Sequence, residues 1–238
     1  MIALPEMQGQ LGNQMFQYAS MRALALKHGM GIYYSKEYQI SEVFKLPDIE
    51  VPMGNFSFYS EPGFSYTEIP LISKDMVLKG FFQSEKYFKD FEEEIKKDFT
   101  FKSPVFLDIE SVDAISLHVR RGDYIKTPNY HPLCTMEYYK KALTLMPDEE
   151  VIVFSDDIPW CKDNFKGERF VFSEGRSNSQ DLEYMSKCKH HIIANSSFSW
   201  WGAWLGSYNG ITTAPKNWFG SEANLDTKDI IPEDWIVL

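Results

Sequence analysis

Cysteine is scarce in this chain and never clustered. Cys134, Cys161 and Cys188 are an odd number without a CxxC pair, which excludes a disulfide framework and a zinc knuckle and leaves buried free thiols as the expectation. No run approaches the roughly 20 apolar residues of a membrane helix. The opening MIALPEMQGQ has no basic stretch followed by an apolar one, so no secretory leader is read there and a cytoplasmic protein is expected. Positive charge is also in deficit, with 24 Lys and Arg against 34 Asp and Glu for a net charge of −10. A surface of that sign repels a phosphate backbone at long range, which sets nucleic acid aside as a partner. Neither a P-loop signature nor a GxGxxG fingerprint occurs, so the two commonest phosphate-binding loops are absent.

What is present is material for packing. Apolar residues make up 44% of the 238 positions and aromatic residues 16%, enough for one large domain or two small ones around real cores and incompatible with disorder. The character of the text changes near Phe99 to Pro104. Before it, Gly54 to Pro70 (GNFSFYSEPGFSYTEIP) is rich in Gly, Pro, Ser and aromatics and reads as loops and short strands. One clear element stands earlier, a helix from about Asn13 to His28 closed by Gly29. After the change, strand and helix signals alternate. Strands are expected at Ala114 to Val119, Val151 to Phe154, Arg169 to Phe172, His191 to Ala194 and Ile211 to Ala214. Helices are expected near Met136 to Met146, Gln180 to Lys189 and Phe198 to Leu205. Such alternation points to an α/β fold with a parallel sheet covered by helices.

Polar motifs fall at the ends of these strands, where open α/β sheets bind ligands. His118-Val-Arg120-Arg121-Gly-Asp123-Tyr124 follows the first. Arginine presents a planar fork that binds phosphate oxygens bidentately, so this segment suits a diphosphate in an otherwise acidic protein. Its plainer reading is a surface turn in which an arginine pairs with Asp123. Ser155-Asp156-Asp157 follows the second strand, and its carboxylates can accept from a guanine edge or cap the next helix. No third ligand accompanies them, so no metal site is read. Asn195-Ser196-Ser197-Phe198 follows the fourth strand, where hydroxyls and free N–H groups at a helix start offer an anion site or simple N-capping. At the other end of the chain, Gly9-Gln-Leu-Gly12-Asn13-Gln14 opens the first helix, where glycines allow backbone N–H groups to approach a ligand or merely make a turn. Three motifs at one sheet edge point to a nucleoside-diphosphate site of unusual type.

These residues resemble the bacterial α-1,2-fucosyltransferases of glycosyltransferase family 11. The matching segments are GQLGNQMFQYA (Gly9 to Ala19), GFFQSEKYF (Gly80 to Phe88), HVRRGDY (His118 to Tyr124), CTMEYYKKAL (Cys134 to Leu143), FSDDIPWC (Phe154 to Cys161) and MSKCKHHIIANSSFSWWGAWL (Met185 to Leu205). The family's usual Gly-Gly-Leu-Gly-Asn-Gln opening here has Gln10 at its second position, and the stretch from about Tyr34 to Lys79 is shorter than usual.

The resemblance implies a GT-B fold with two Rossmann-like domains facing a central cleft, at 1–104 (acceptor side) and 105–238 (donor side). It also implies GDP-L-fucose as donor, a galactose-terminated glycan of the bacterial surface as acceptor, and inverting transfer to the 2-hydroxyl with no metal or other cofactor. By the same resemblance Arg120 would stabilise the GDP leaving group, with Ser196, Ser197 and the helix start at Phe198 sharing its charge. His118 and one of Asp156 or Asp157 would recognise guanine, and Arg121 would hold the loop. Gly12, Asn13, Gln14 and Asn195 complete the expected donor contacts. Asp123 is the first choice for the base that takes the acceptor proton, with a salt bridge to an arginine as its other role. Two other readings stay open: a transferase of another linkage or GDP-sugar, and a noncatalytic sugar- or nucleotide-binding protein on the same scaffold. No integral membrane segment is expected; peripheral contact with the inner face of the membrane is left open.

Overall fold

The computed structural model describes residues 1–50, 54–106, 111–206 and 209–238. They form two compact units, Met1–Ser103 with Leu225–Pro232, and Pro104–Asn224 with Glu233–Leu238. The return of 225–232 to the first unit has no signature in the sequence. It is fastened by Asp229, whose carboxylate accepts from the Tyr66 N–H at 3.0 Å and pairs with Lys86 at 2.7 Å.

In the first unit β1 (Ile2–Leu4), β2 (Ile32–Tyr34), β3 (Ser57–Ser60) and β4 (Met76–Lys79) form a parallel sheet in the order β2-β1-β4-β3. Strands of three or four residues are too short to show a period, which is why the sequence before Phe99 read as irregular. Helix α1 (Leu11–His28) follows β1 and starts two residues before the expected Asn13. Gly29 ends it at φ 60°, a left-handed conformation that glycine adopts without a Cβ penalty. Two shorter helices follow, α2 (Gln39–Val43) and α3 (Glu92–Asp98). Asp98, at the end of α3, accepts from the buried Tyr18 hydroxyl at 2.8 Å and from Arg22 Nε at 2.9 Å, which ties α3 to α1.

In the second unit β5 (Val112–Val119), β6 (Glu150–Ser155), β7 (Phe170–Phe172), β8 (Cys188–Ile192), β9 (Thr212–Ala214) and β10 (Ile236–Val237) pair in parallel, in the order β10-β9-β8-β5-β6-β7. Helices α4 (Met136–Thr144), α5 (Ile158–Asn164), α6 (Asn178–Lys187) and α7 (Ser197–Trp204) cover both faces. Ile115, Leu117, Val119, Val151 and Val153 meet Tyr139, Ala142 and Cys161 on the α4/α5 side. Ala114, Ile152 and Phe154 meet Met185 of α6 on the other. Burial on two faces explains the near-continuous apolar runs in β5 and β6.

Helix α5 has no periodic signal, and the carboxylates of Asp156 and Asp157 as possible caps are its one mark in the sequence. Asp157 starts it by accepting from the Trp160 N–H at 3.2 Å, with Pro159 in its first turn. The strand expected at His191 to Ala194 begins earlier, at Cys188, because the register with β5 sets His191 beside Ser116 and leaves Ile193 and Ala194 beyond the ladder. All three cysteines are free, with Cys161 and Cys188 buried and Cys134 partly so.

Helix α7 is anchored by fully buried Trp200 and Trp201, with Trp204 and Trp235 against the Trp200 ring. Gly202 lets α7 approach α6 closely, since a Cβ there would lie 2.8 Å from Met185 Cβ. Gly202→Ala is therefore expected to destabilise the protein by about 1–3 kcal/mol, as overpacking does. A thermal melt of the variant checks this, and an unchanged melting temperature would mean that α6 and α7 separate freely.

Candidate active site

The second unit's strand order reverses direction between β5 and β8, so the chain leaves these two neighbours on opposite hands and opens a crevice beyond their carboxyl ends. The His118–Tyr124 and Asn195–Phe198 segments emerge there, joined by Ser155–Asp157 from the end of β6. Tyr124 links two of them, its hydroxyl donating to the Asn195 carbonyl at 3.0 Å.

Arg120 and Arg121 are both held by carboxylates. Arg120 pairs through Nη1 with Asp156 at 2.8 Å and through Nη2 with Asp123 at 2.5 Å, and its guanidinium lies 5.3 Å from the Tyr124 ring centre. The second oxygen of Asp156 accepts the Arg121 N–H at 2.9 Å. Gly122 makes this possible, because a Cβ there would stand 2.5 Å from Asp156 Oδ2. Arg121 donates through Nε to Asp157 at 2.9 Å and its guanidinium carbon lies 4.2 Å from the Trp160 ring centre. Two arginines thus face three carboxylates, and the Arg120–Asp123 pair is the salt bridge that the sequence offered as the plainer reading of this segment. The more exchangeable partner of Arg120 is Asp123, whose side chain is 66% exposed, against 27% for Asp156. An exposed pair of this kind contributes little and yields readily to a better anion.

His118 sits under this cluster at the end of β5, buried, with its ring centre 5.8 Å from that of Phe198. Burial, reinforced by the Arg120 charge, lowers its pKa to about 3, so the imidazole is neutral at working pH. Its Nδ1 has no hydrogen-bond partner among the described residues. Ser196 precedes α7 without capping it through its side chain, and Ser197 opens the helix. Asn195 is turned inward: its amide donates to the carbonyls of Pro132 at 2.9 Å and Trp218 at 3.0 Å, which ties two neighbouring loops to the end of β8.

The first unit carries its own polar loop before α1. Gln14 is buried, its amide donating to the Gly9 carbonyl at 3.0 Å while its oxygen accepts the Ile40 N–H at 3.1 Å. Gln17 holds the same loop through both backbone groups of Gln8. Gly12 is buried in the first turn, while Asn13 is partly exposed and accepts from Gln83 at 2.7 Å. Sequence reasoning gave no role to Tyr124, Trp160 or Gln83. Each lies inside a quoted motif, three residues from a charged or amide neighbour or one turn into a loop, but the partner it meets lies elsewhere in the chain.

A family description, glycosyl transferase family 11, matches residues 35–238. The chain belongs to this family. An α-1,2-colitosyltransferase of Escherichia coli is 32% identical across 99% of this chain and 98% of its own length. That alignment runs over 289 positions against the 238 residues here, so this family 11 relative carries segments that the present chain lacks. Galactoside α-(1,2)-fucosyltransferase 1 of Plecturocebus brunneus is 24% identical over 83% of this chain and 63% of its own. Among solved structures, the NodZ α-1,6-fucosyltransferase of Bradyrhizobium, soaked with GDP-fucose, superposes with a TM-score of 0.55 at 14% identity, covering 86% of this chain and 92% of that one. At that identity the likeness speaks for the fold, which is GT-B-type α/β. Among the described residues no helix is long and apolar enough to cross a membrane, and no group of three or more His, Cys, Asp or Glu is arranged to hold a metal ion.

The buried histidines of this family 11 protein make its stability depend on pH. His118 and His191, both lowered to about 3 by burial, bind protons less readily folded than unfolded. Their contribution is complete above the ordinary histidine value of 6.5 and is lost as pH falls from there toward 3. The melting temperature is expected to fall across that window, and the His118 imidazole to stay neutral by NMR at pH 5. A His118 that titrates near 6.5 would contradict its burial.

Proposed function

We propose that the protein is an inverting α-1,2-glycosyltransferase that moves L-fucose from GDP-L-fucose to the 2-hydroxyl of a terminal galactose in a surface glycan, without a metal ion. The observation that carries this reading is the Arg120 fork, oriented by Asp156 at the β5/β8 switch point with its Nη2 paired to exposed Asp123. A diphosphate that displaces Asp123 meets a guanidinium already aimed. As the glycosidic bond breaks, negative charge grows on the leaving phosphate, and an oriented cation stabilises that state more than the ground state. Ser196, which makes no side-chain cap, and Ser197 and Phe198 in the first turn of α7 are assigned to the same charge.

Neutral His118, with a buried unpartnered nitrogen beside the Phe198 ring, suits a hydrogen bond to an uncharged base such as guanine. Asp156 and Asp157 are engaged with the arginines, which supports a holding role over direct contact with the base. Gly12 and Asn13 of the first unit are assigned to the donor, while the inward amides of Gln14 there and of Asn195 in the second unit keep their own loops in shape. For Asp123 the ion pair with Arg120 supports counter-ion over base, because an inverting base must stand on the acceptor side, away from the leaving group. The E. coli relative supports a second donor: colitose is the 3-deoxy counterpart of L-fucose, and a site that does not hydrogen-bond the 3-hydroxyl would accept either.

Calorimetry with GDP, GDP-L-fucose, GDP-mannose and UDP in EDTA tests the donor, and incubation with GDP-L-fucose and lactose tests the transfer. GDP-selective binding with a 2-linked product is expected; no GDP binding, or binding only with a divalent ion, would sink the proposal. Arg120→Ala should lower transfer by about 10²–10³-fold or more with an unchanged melting temperature. For Asp123→Asn, retention of most activity fits the counter-ion role, whereas a loss of about 10²–10⁴-fold would make it the base.

A further inference from the structure

β1 and β4 are parallel neighbours in the sheet of the first unit, so the loops that follow them leave from the same edge. From β1 comes the loop that leads through Gly9 to Asn13, and from β4 comes Gly80–Phe88, a motif with no part in the reaction as described so far. This second loop is rigidly made. Phe82 holds φ 52°, where bulky residues are rarely found, and the Glu61 carboxylate fixes it by accepting the N–H groups of Phe81 at 2.8 Å and Phe82 at 3.0 Å. Gly80 leaves room for that carboxylate's side chain, since a Cβ there would meet Glu61 Cβ at 2.5 Å.

The consequence falls on Gln83, which is 5% exposed and donates through Nε2 to Asn13 Oδ1 at 2.7 Å. A free asparagine amide can present either its oxygen or its nitrogen. Here the glutamine nitrogen can only donate, so the Asn13 oxygen is turned inward. Its nitrogen then lies over Gly9, where a Cβ would come within 2.2 Å of it. Among the described residues Asn13 Nδ2 makes no hydrogen bond, and the buried Gln83 Oε1 has no partner.

We propose that Gln83 is a positioning residue that holds the Asn13 amide nitrogen outward, as a donor to an oxygen in the sugar-diphosphate portion of the GDP-sugar. The proposal rests on the assignment of Asn13 to the donor. With Gln83 absent or unable to donate, Asn13 would also present its carbonyl, which repels phosphate and ether oxygens.

Gln83→Glu tests this, because the new carboxylate accepts from Asn13 and turns its amide over while the link between the two positions survives. The melting temperature should stay close to that of the wild type while the KM for GDP-L-fucose rises about 10–100-fold, the range of a lost hydrogen bond to a charged group. Asn13→Ala should show a similar rise, and the two changes together no more than either alone, since they remove one contact. If Gln83→Glu fails to fold, Gln83→Leu enters the same cycle, with a smaller rise expected. Equal losses of affinity for GDP and GDP-L-fucose place the contact on the diphosphate, and loss for GDP-L-fucose alone places it on the sugar; both support the proposal. Effects that multiply in the double variant, or a wild-type KM in the single ones, overturn it while the transferase reading stands. A wild-type protein that binds neither GDP nor GDP-L-fucose overturns both.

Discussion

Asp156 is the contact on which the candidate site depends. One carboxylate oxygen takes the Arg120 guanidinium and the other the Arg121 N–H, so a single side chain sets both the direction of the fork and the course of the backbone that carries it. Arginine loses about 2 kcal/mol of rotamer freedom when it is fixed, and a site that fixes it before the ligand arrives does not bear that cost at the moment of binding. Gly122 is part of the same constraint, since any side chain there would displace Asp156. Trp160 and Asp157 do for Arg121 what Asp156 does for Arg120, and Asp123 covers the Nη2 side of Arg120.

Around this cluster the structure keeps charge out of the interior. His118 lies beneath two arginines and is neutral because burial and the Arg120 charge both oppose a proton on it. His191, one strand away, is neutral for the same first reason and bonds to the Ser116 hydroxyl at 2.7 Å. The rigid base for both is the face covered by α6 and α7, where the tryptophans of α7 fill the space and Gly202 brings the helices together. A helix so anchored presents its N-terminus at a fixed place, which a helix held only by propensity would not do.

In each motif some polar side chains hold backbone groups of the loops. Gln14 and Gln17 are both turned into the loop before α1, Asn195 ties Pro132 to Trp218, and Asp157 caps α5 while it holds Arg121. Arg120 and Asn13 are themselves oriented by such neighbours, Arg120 by Asp156 and Asn13 by Gln83. A dense polar motif is therefore largely a device for shaping a loop whose backbone groups would otherwise lack partners.

The sequence by itself determined the alternation of strands and helices after Phe99, the close of α1 at Gly29, the free thiols and the position of the polar motifs at strand ends. Those features are local: apolar period, a closing glycine, a run too long to be exposed. Its resemblance to family 11 added the two-unit α/β architecture. Only the tertiary structure decided the four-stranded sheet of the first unit, whose strands are too short to carry a period, and the return of 225–232 to that unit. It also decided which carboxylate meets which arginine, that His118 is neutral, and that Gln83 stands against Asn13, 70 residues away. Partnerships of that kind depend on which strands become neighbours, and strand order arises from long-range packing that no local stretch of sequence encodes.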